Sequence, residues 1–166
     1  MTEDAEQLFH LYLSDHLAGA RGGVELAKRA ASAEEGRPAG ADLAVIARDL
    51  EEDLSSLRTL CEALGAPTHA PAKEAAAAVG EKLGRLKPNR RVSERSPLSE
   101  VLEIELLQGA VSAKRHLWET FMHLPEMRSS HTEPSLPALL ERADDQFQRL
   151  GTLHRGAVQR AFRDPE

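Results

Sequence analysis

Three residues of this chain have the type and placement to do chemistry: His16, Glu105 and His154. Each lies on or beside an apolar stripe. His16 falls between Leu13 and Leu17, Glu105 precedes Leu106, and His154 follows Leu150 by one helical turn. A polar group carried into a core costs free energy unless it is paired. Two imidazoles and a carboxylate meet that demand either by hydrogen-bonding in a core network or by holding a divalent cation. The network is the expectation, and it needs no cofactor. The alternative is a degenerate His/carboxylate site for iron, manganese or zinc. Positions turned partly to solvent are the third outcome.

The second constellation is electrostatic. Lys82, Arg85, Lys87, Arg90, Arg91 and Arg95 stand against Glu81 and Glu94, a local charge of +4 in a chain whose total is −6. The remainder therefore carries −10. Such a segment reads as a loop lying on acidic helix faces of its own fold, or as a docking patch for an anion or a protein partner. The negative total argues against nucleic acid as the main partner. A second copy of the chain or another protein is the partner class that remains.

Other chemistries lack their motifs. There is no Gly-x-Ser-x-Gly, no P-loop and no Gly-x-Gly-x-x-Gly. The single cysteine, Cys61, excludes an intrachain disulfide and a Cys-based zinc site. It sits in a leucine stripe and reads as a small buried hydrophobe. His10, His69, His123 and His131 fall near helix ends or in loops and read as surface residues. No residue presents itself as catalytic, and the balance leans against an enzyme.

The elements that must position these residues are helices. Ala and Leu number 25 and 24, against 7 Val and 2 Ile, and aromatics make up 4%. Helix formers dominate and strand formers are scarce, which argues against an all-β or Rossmann-type fold. The nine prolines fall between, or at the starts of, long amphipathic stretches, where a missing N–H is tolerated. They delimit helices over about 3–34, 41–64, 97–124 and 135–162, with a shorter one over 72–86 and a basic loop through Arg95. Thr2 and Ser96 are the expected N-caps, and Gly65 the stop of the second helix.

The inward stripes are Phe9, Leu13, Leu17, Ala20, Val24, Ala27 and Ala31 in the first helix, and Leu43, Ala47, Leu50, Leu54, Leu57, Cys61 and Leu64 in the second. In the third they are Leu98, Leu102, Leu106, Gly109, Ala113, Leu117 and Leu124, with Trp118 off-centre. In the fourth they are Leu136, Leu140, Ala143, Phe147, Leu150, Ala157 and Ala161. The first two helices, joined by a short loop, are expected to be antiparallel, and the long connection between the second and third is one crossover. The expected architecture is all-α: a single-domain ferritin-like four-helix bundle over residues 1–166, with a short extra helix in the crossover.

A di-iron bundle places a Glu on each of two helices and Glu-x-x-His on each of the other two. Neither Glu-x-x-His nor Asp-x-x-His occurs here. No apolar run of about 18 residues is present to span a bilayer, and the acidic start lacks a signal-peptide pattern, so a cytoplasmic location is expected.

Several blocks carry a resemblance. Tyr12-Leu13-Ser14-Asp15-His16-Leu17-Ala18-Gly19-Ala20 and Gly23-Val24-Glu25-Leu26-Ala27 open the chain. Glu81-Lys82-Leu83-Gly84-Arg85-Leu86-Lys87, Arg95-Ser96-Pro97-Leu98-Ser99 and Leu102-Glu103-Ile104-Glu105-Leu106 follow. Together they resemble an uncharacterised ferritin-like family of high-GC, actinobacterial-type bacteria. More distantly, the layout is similar to small bacterial stress-associated ferritin-like proteins, which have inward Glu and His ligands. The resemblance implies a bacterial ferritin-like bundle. It transfers no activity and no catalytic residue. The expectation is a non-catalytic binding or structural module without an intact di-iron site.

Overall fold

The computed structural model describes residues 2–68, 96–124 and 134–163. They form four helices: α1 (Glu3–Ala33), α2 (Pro38–Ala63), α3 (Pro97–His123) and α4 (Leu136–Phe162). No strand occurs among the described residues. The expected helix over 72–86, the basic residues Lys82, Arg85, Lys87, Arg90, Arg91 and Arg95, and most of the connection before α4 lie outside them.

Local chemistry sets the ends. Thr2 Oγ1 accepts from the Ala5 N–H at 3.3 Å, Ser96 Oγ from Leu98 and Ser135 Oγ from Ala138, each satisfying a donor that the first turn leaves free. Prolines occupy the first turns of α2, α3 and α4. The second helix begins at Pro38 rather than at residue 41, because proline's fixed φ suits the first helical position. Gly65 ends that helix region in the left-handed conformation, φ +66°. The turn between α1 and α2 is tight. A Cβ on Gly40 would collide with the backbone carbonyl of Glu34, so this position requires glycine.

Each helix packs on two others: α1 on α2 and α3, and α4 on α3 and α2. Side-chain pairs give the directions. His10 reaches the Leu64 carbonyl and Lys28 reaches Glu51, so α1 and α2 are antiparallel. Tyr12 bonds Thr120 and Arg29 pairs with Glu103, so α1 and α3 are antiparallel. Glu100 pairs with Arg160, Arg115 with Asp144, Asp42 with Arg149 and Asp53 with Arg142, which makes α4 antiparallel to both α3 and α2. The first and fourth helices point one way, the second and third the other.

The core follows the expected stripes in α1 and α2, including a fully buried Cys61. In α3 it does not. That helix buries Val101, Ile104, Leu107, Val111, Leu117, Trp118 and Phe121, whereas Leu98, Leu102 and Leu106 are half-buried and Gly109 and Ala113 are exposed. This helix carries two apolar stripes about one residue apart. The stripe with Ile104, Trp118 and Phe121 has more apolar surface to remove from water, so it wins the interior. Trp118, expected off-centre, is fully buried and stacks near Phe121, whose ring meets Phe9 edge-on at 5.9 Å. In α4, Leu139 and Gln146 are buried, while Leu140 and Phe147 are half-buried.

Candidate functional site

The three sequence-selected residues do not converge. His154 Nε2 and Glu105 Oε1 lie 3.0 Å apart between α4 and α3, but on a side-chain pair that is 28% and 49% exposed. This is a surface pair rather than a core network. His16 is half-buried elsewhere, its ring 4.4 Å from that of Tyr12 and close enough to His116 to sense its charge. Glu105 is three turns along α3 from His116, roughly 16 Å of helix. No group of three or more His, Cys, Asp or Glu suited to a metal occurs among the described residues. The expected surface residue His10 is half-buried and bonds the Leu64 carbonyl at 3.2 Å, helping to close the end of α2.

What the core does hold is a charged network that residue-type reasoning missed. Asp53 of α2 is 2% exposed, Gln146 of α4 is fully buried and Lys114 of α3 is 9% exposed. The Lys114 ammonium donates to Asp53 Oδ2 and to Gln146 Oε1. Gln146 Nε2 donates to the same Asp53 oxygen at 3.3 Å. Arg142 of α4 covers the other carboxylate oxygen and reaches out to Glu52 at 2.9 Å. Burial pushes the Lys114 ammonium below its ordinary range, while Asp53 pulls it back.

The signal for this network was present as a break in period. Buried positions 43, 46, 50, 53, 57 and 60 of α2 alternate spacings of three and four, as do 104, 107, 111, 114, 118 and 121 of α3 and 139, 143, 146 and 150 of α4. That is the seam spacing of packed helices. Each of these three seams is apolar except at one residue: Asp53, Lys114 or Gln146. A polar residue at a seam position finds its partner in the same layer of the facing helices and thereby sets their register.

Beside this layer lies a cavity of about 260 Å³ between α1, α2 and α3. Small residues create it: Gly19, Ala20 and Gly23 on α1 face Ala110 and Ala113 on α3. The first helix cannot close the gap, since a Cβ on Gly19 would meet nothing within 4 Å. Leu50, Leu54, Leu57 and Leu117 give the walls their apolar character, and Trp118 also lines the space. Asp15, His16, Asp53 and Lys114 add polar groups to the lining. Burial lowers the His16 pKa, so its ring is held neutral, with Asp15 opposing and His116 adding to the effect.

No protein-family model, curated protein or solved structure matches the chain. The residues themselves are therefore the basis for a functional reading. Among the described residues no helix is long and apolar enough to cross a membrane. The cavity is concave, largely apolar and supplied with a few convergent polar groups, which is the usual make-up of a small-molecule site.

Proposed function

We propose that this protein is a non-catalytic ferritin-like binding module whose ligand site is the cavity between α1, α2 and α3. The observation that carries the reading is the cavity itself, a space of about 260 Å³ with leucine walls and a buried ammonium at its edge. The space opens to the surface beside exposed Asp15, Gly19 and Ala113, and its walls are nonetheless largely apolar. The ferritin-like assignment with one crossover draws support from helix direction. The second helix finishes at the end of the bundle opposite to that where the third begins, and the intervening chain must cover roughly 39 Å, the length of 26 helical residues. The absence of Glu-x-x-His from the sequence supports a bundle without the di-iron site.

Thermal unfolding with a neutral apolar probe, 1-octanol, tests the reading. A ligand at ten times its Kd stabilises the native state by about 1.4 kcal/mol, raising Tm by roughly 3–6 °C for a domain of this size. Saturable stabilisation that disappears in Gly19→Leu is the expected result. That substitution puts a side chain into open space at the cavity edge without a backbone clash. An unchanged Tm over the whole soluble range of the probe, or equal shifts in both proteins, refutes it.

A further inference from the structure

We propose that the cavity takes a primary amine with an aliphatic tail, its ammonium head received at the mouth by Asp15 and His16 and its tail lodged against the leucine walls; this rests on the reading of the cavity as the binding site.

Charge selects the head group. The formally charged side chains of the lining are Asp15, Asp53 and Lys114. Asp53 and Lys114 pair with each other in the buried layer. The group behind them is balanced as well, since Arg142 bridges Asp53 and Glu52. That layer is therefore neutral, and Asp15 is the charge left over. No ion pair joins Asp15 to another described residue. The cations of α3, which faces it, are engaged elsewhere: Lys114 with Asp53, and Arg115 with Asp144 and Glu119. The acids of α3 are by contrast all paired, Glu100 with Arg160, Glu103 with Arg29, Glu105 with His154 and Glu119 with Arg115. A cationic head at the mouth compensates Asp15, whereas an anion there meets a like charge.

Hydrogen-bonding capacity points the same way. An ammonium brings three N–H donors and no acceptor. The mouth offers it the two carboxylate oxygens of Asp15. It also offers His16, whose ring contacts Tyr12 but hydrogen-bonds no described residue. Burial holds that ring neutral, and a neutral imidazole keeps one acceptor nitrogen. Asp15 and His16 are consecutive on α1, and both border the cavity.

Volume sets the size of the tail. An apolar cavity of about 150 Å³ holds benzene, and in the same proportion about 260 Å³ holds about ten heavy atoms. Octylammonium fits within that limit. Its tail meets Leu50, Leu54, Leu57 and Leu117, while its head stays where the cavity opens beside exposed Asp15 and Gly19.

Trp118 is the chain's single tryptophan and lines the cavity, so its emission reports on an occupant. Octylammonium, 1-octanol and octanoate are titrated separately into the intact protein at neutral pH and one low ionic strength. Asp15 is exposed, so its ion pair with the head is screened: octylammonium is expected to bind about threefold or more tighter than 1-octanol, with octanoate weakest. In Asp15→Asn that ratio falls to about one while the Kd of 1-octanol is unchanged. Glu141→Gln removes the same charge from an exposed position on α4 outside the cavity, and it keeps the ratio of the wild type. An octylammonium Kd no lower than that of 1-octanol, or equal losses in the two variants, overturns the head-group assignment and leaves the cavity standing as an apolar site. No saturable change with any of the three probes overturns the assignment and the binding-site reading together.

Discussion

Replacing Lys114 by Met removes the ammonium from the polar layer while keeping an unbranched side chain of similar length. Asp53, 2% exposed, then retains Arg142 on one oxygen and only the 3.3 Å contact from Gln146 on the other. Gln146 loses the donor to its own buried oxygen. Breaking a buried ion pair by deleting one partner costs about 3–5 kcal/mol, because the remaining charge is left without compensation. Arg142 still compensates part of Asp53, so the lower end applies, about 3 kcal/mol. For a domain of this length that is roughly 6–12 °C in Tm. Urea unfolding followed by far-UV circular dichroism gives the value from the midpoint, provided the slope is unchanged.

The companion variant replaces Asp53 by Leu, Lys114 by Met and Gln146 by Leu together. It removes the desolvated groups as a set, and it is expected to lie within about 1 kcal/mol of the wild type or above it. Such non-additivity is the signature of one coupled layer. If Lys114→Met alone costs less than about 0.5 kcal/mol, or if the triple variant falls below the single one, the layer is not a coupled buried network and the reasoning fails.

Two further perturbations test local statements. Gly40→Ala is expected to destabilise by about 1–3 kcal/mol, because its Cβ meets the Glu34 backbone carbonyl and the α1–α2 turn must shift; a denaturation midpoint equal to that of the wild type contradicts this. His16 predicts a pH dependence. Its folded pKa is depressed below the usual 6.5 chiefly by burial, so the unfolded chain binds more protons and stability falls as pH drops below 6.5 through the folded value. His16→Gln should flatten the wild-type decline in Tm between about pH 6.5 and 5, and identical slopes in the two proteins rule the account out.

Much of the helical layout was legible from the chain because its determinants are local. Thr2, Ser96 and Ser135 bond nearby N–H groups, and proline and glycine act on their own backbone, so end positions follow from residue type. The stripes of α1 and α2 were legible because each has a single apolar face. The rotation of α3 was not, since Leu98, Leu102 and Leu106 form a second stripe beside Val101, Ile104 and Leu107, and only the volume of the neighbouring helices selects between them. The same ambiguity hid Lys114: on the wrong stripe it reads as a surface lysine. His16, Glu105 and His154 were chosen for type and proximity to leucines, but they lie in separate parts of the bundle, and periodicity within a helix carries no information about level between helices.

The amino-acid sequence by itself determined that the described residues would make four long helices, where most of their ends would fall, though not the start of α2 at Pro38, and that Cys61 would be buried. These are consequences of backbone preferences and of one-dimensional period. Tertiary structure alone decided which face of α3 turned inward, that Asp53, Lys114 and Gln146 would meet in one layer, and that the small residues of α1 and α3 would face each other across a space. Those outcomes depend on side chains separated by 32 to 93 positions, and an ion pair or a cavity exists only once the helices carrying its parts are at the same height.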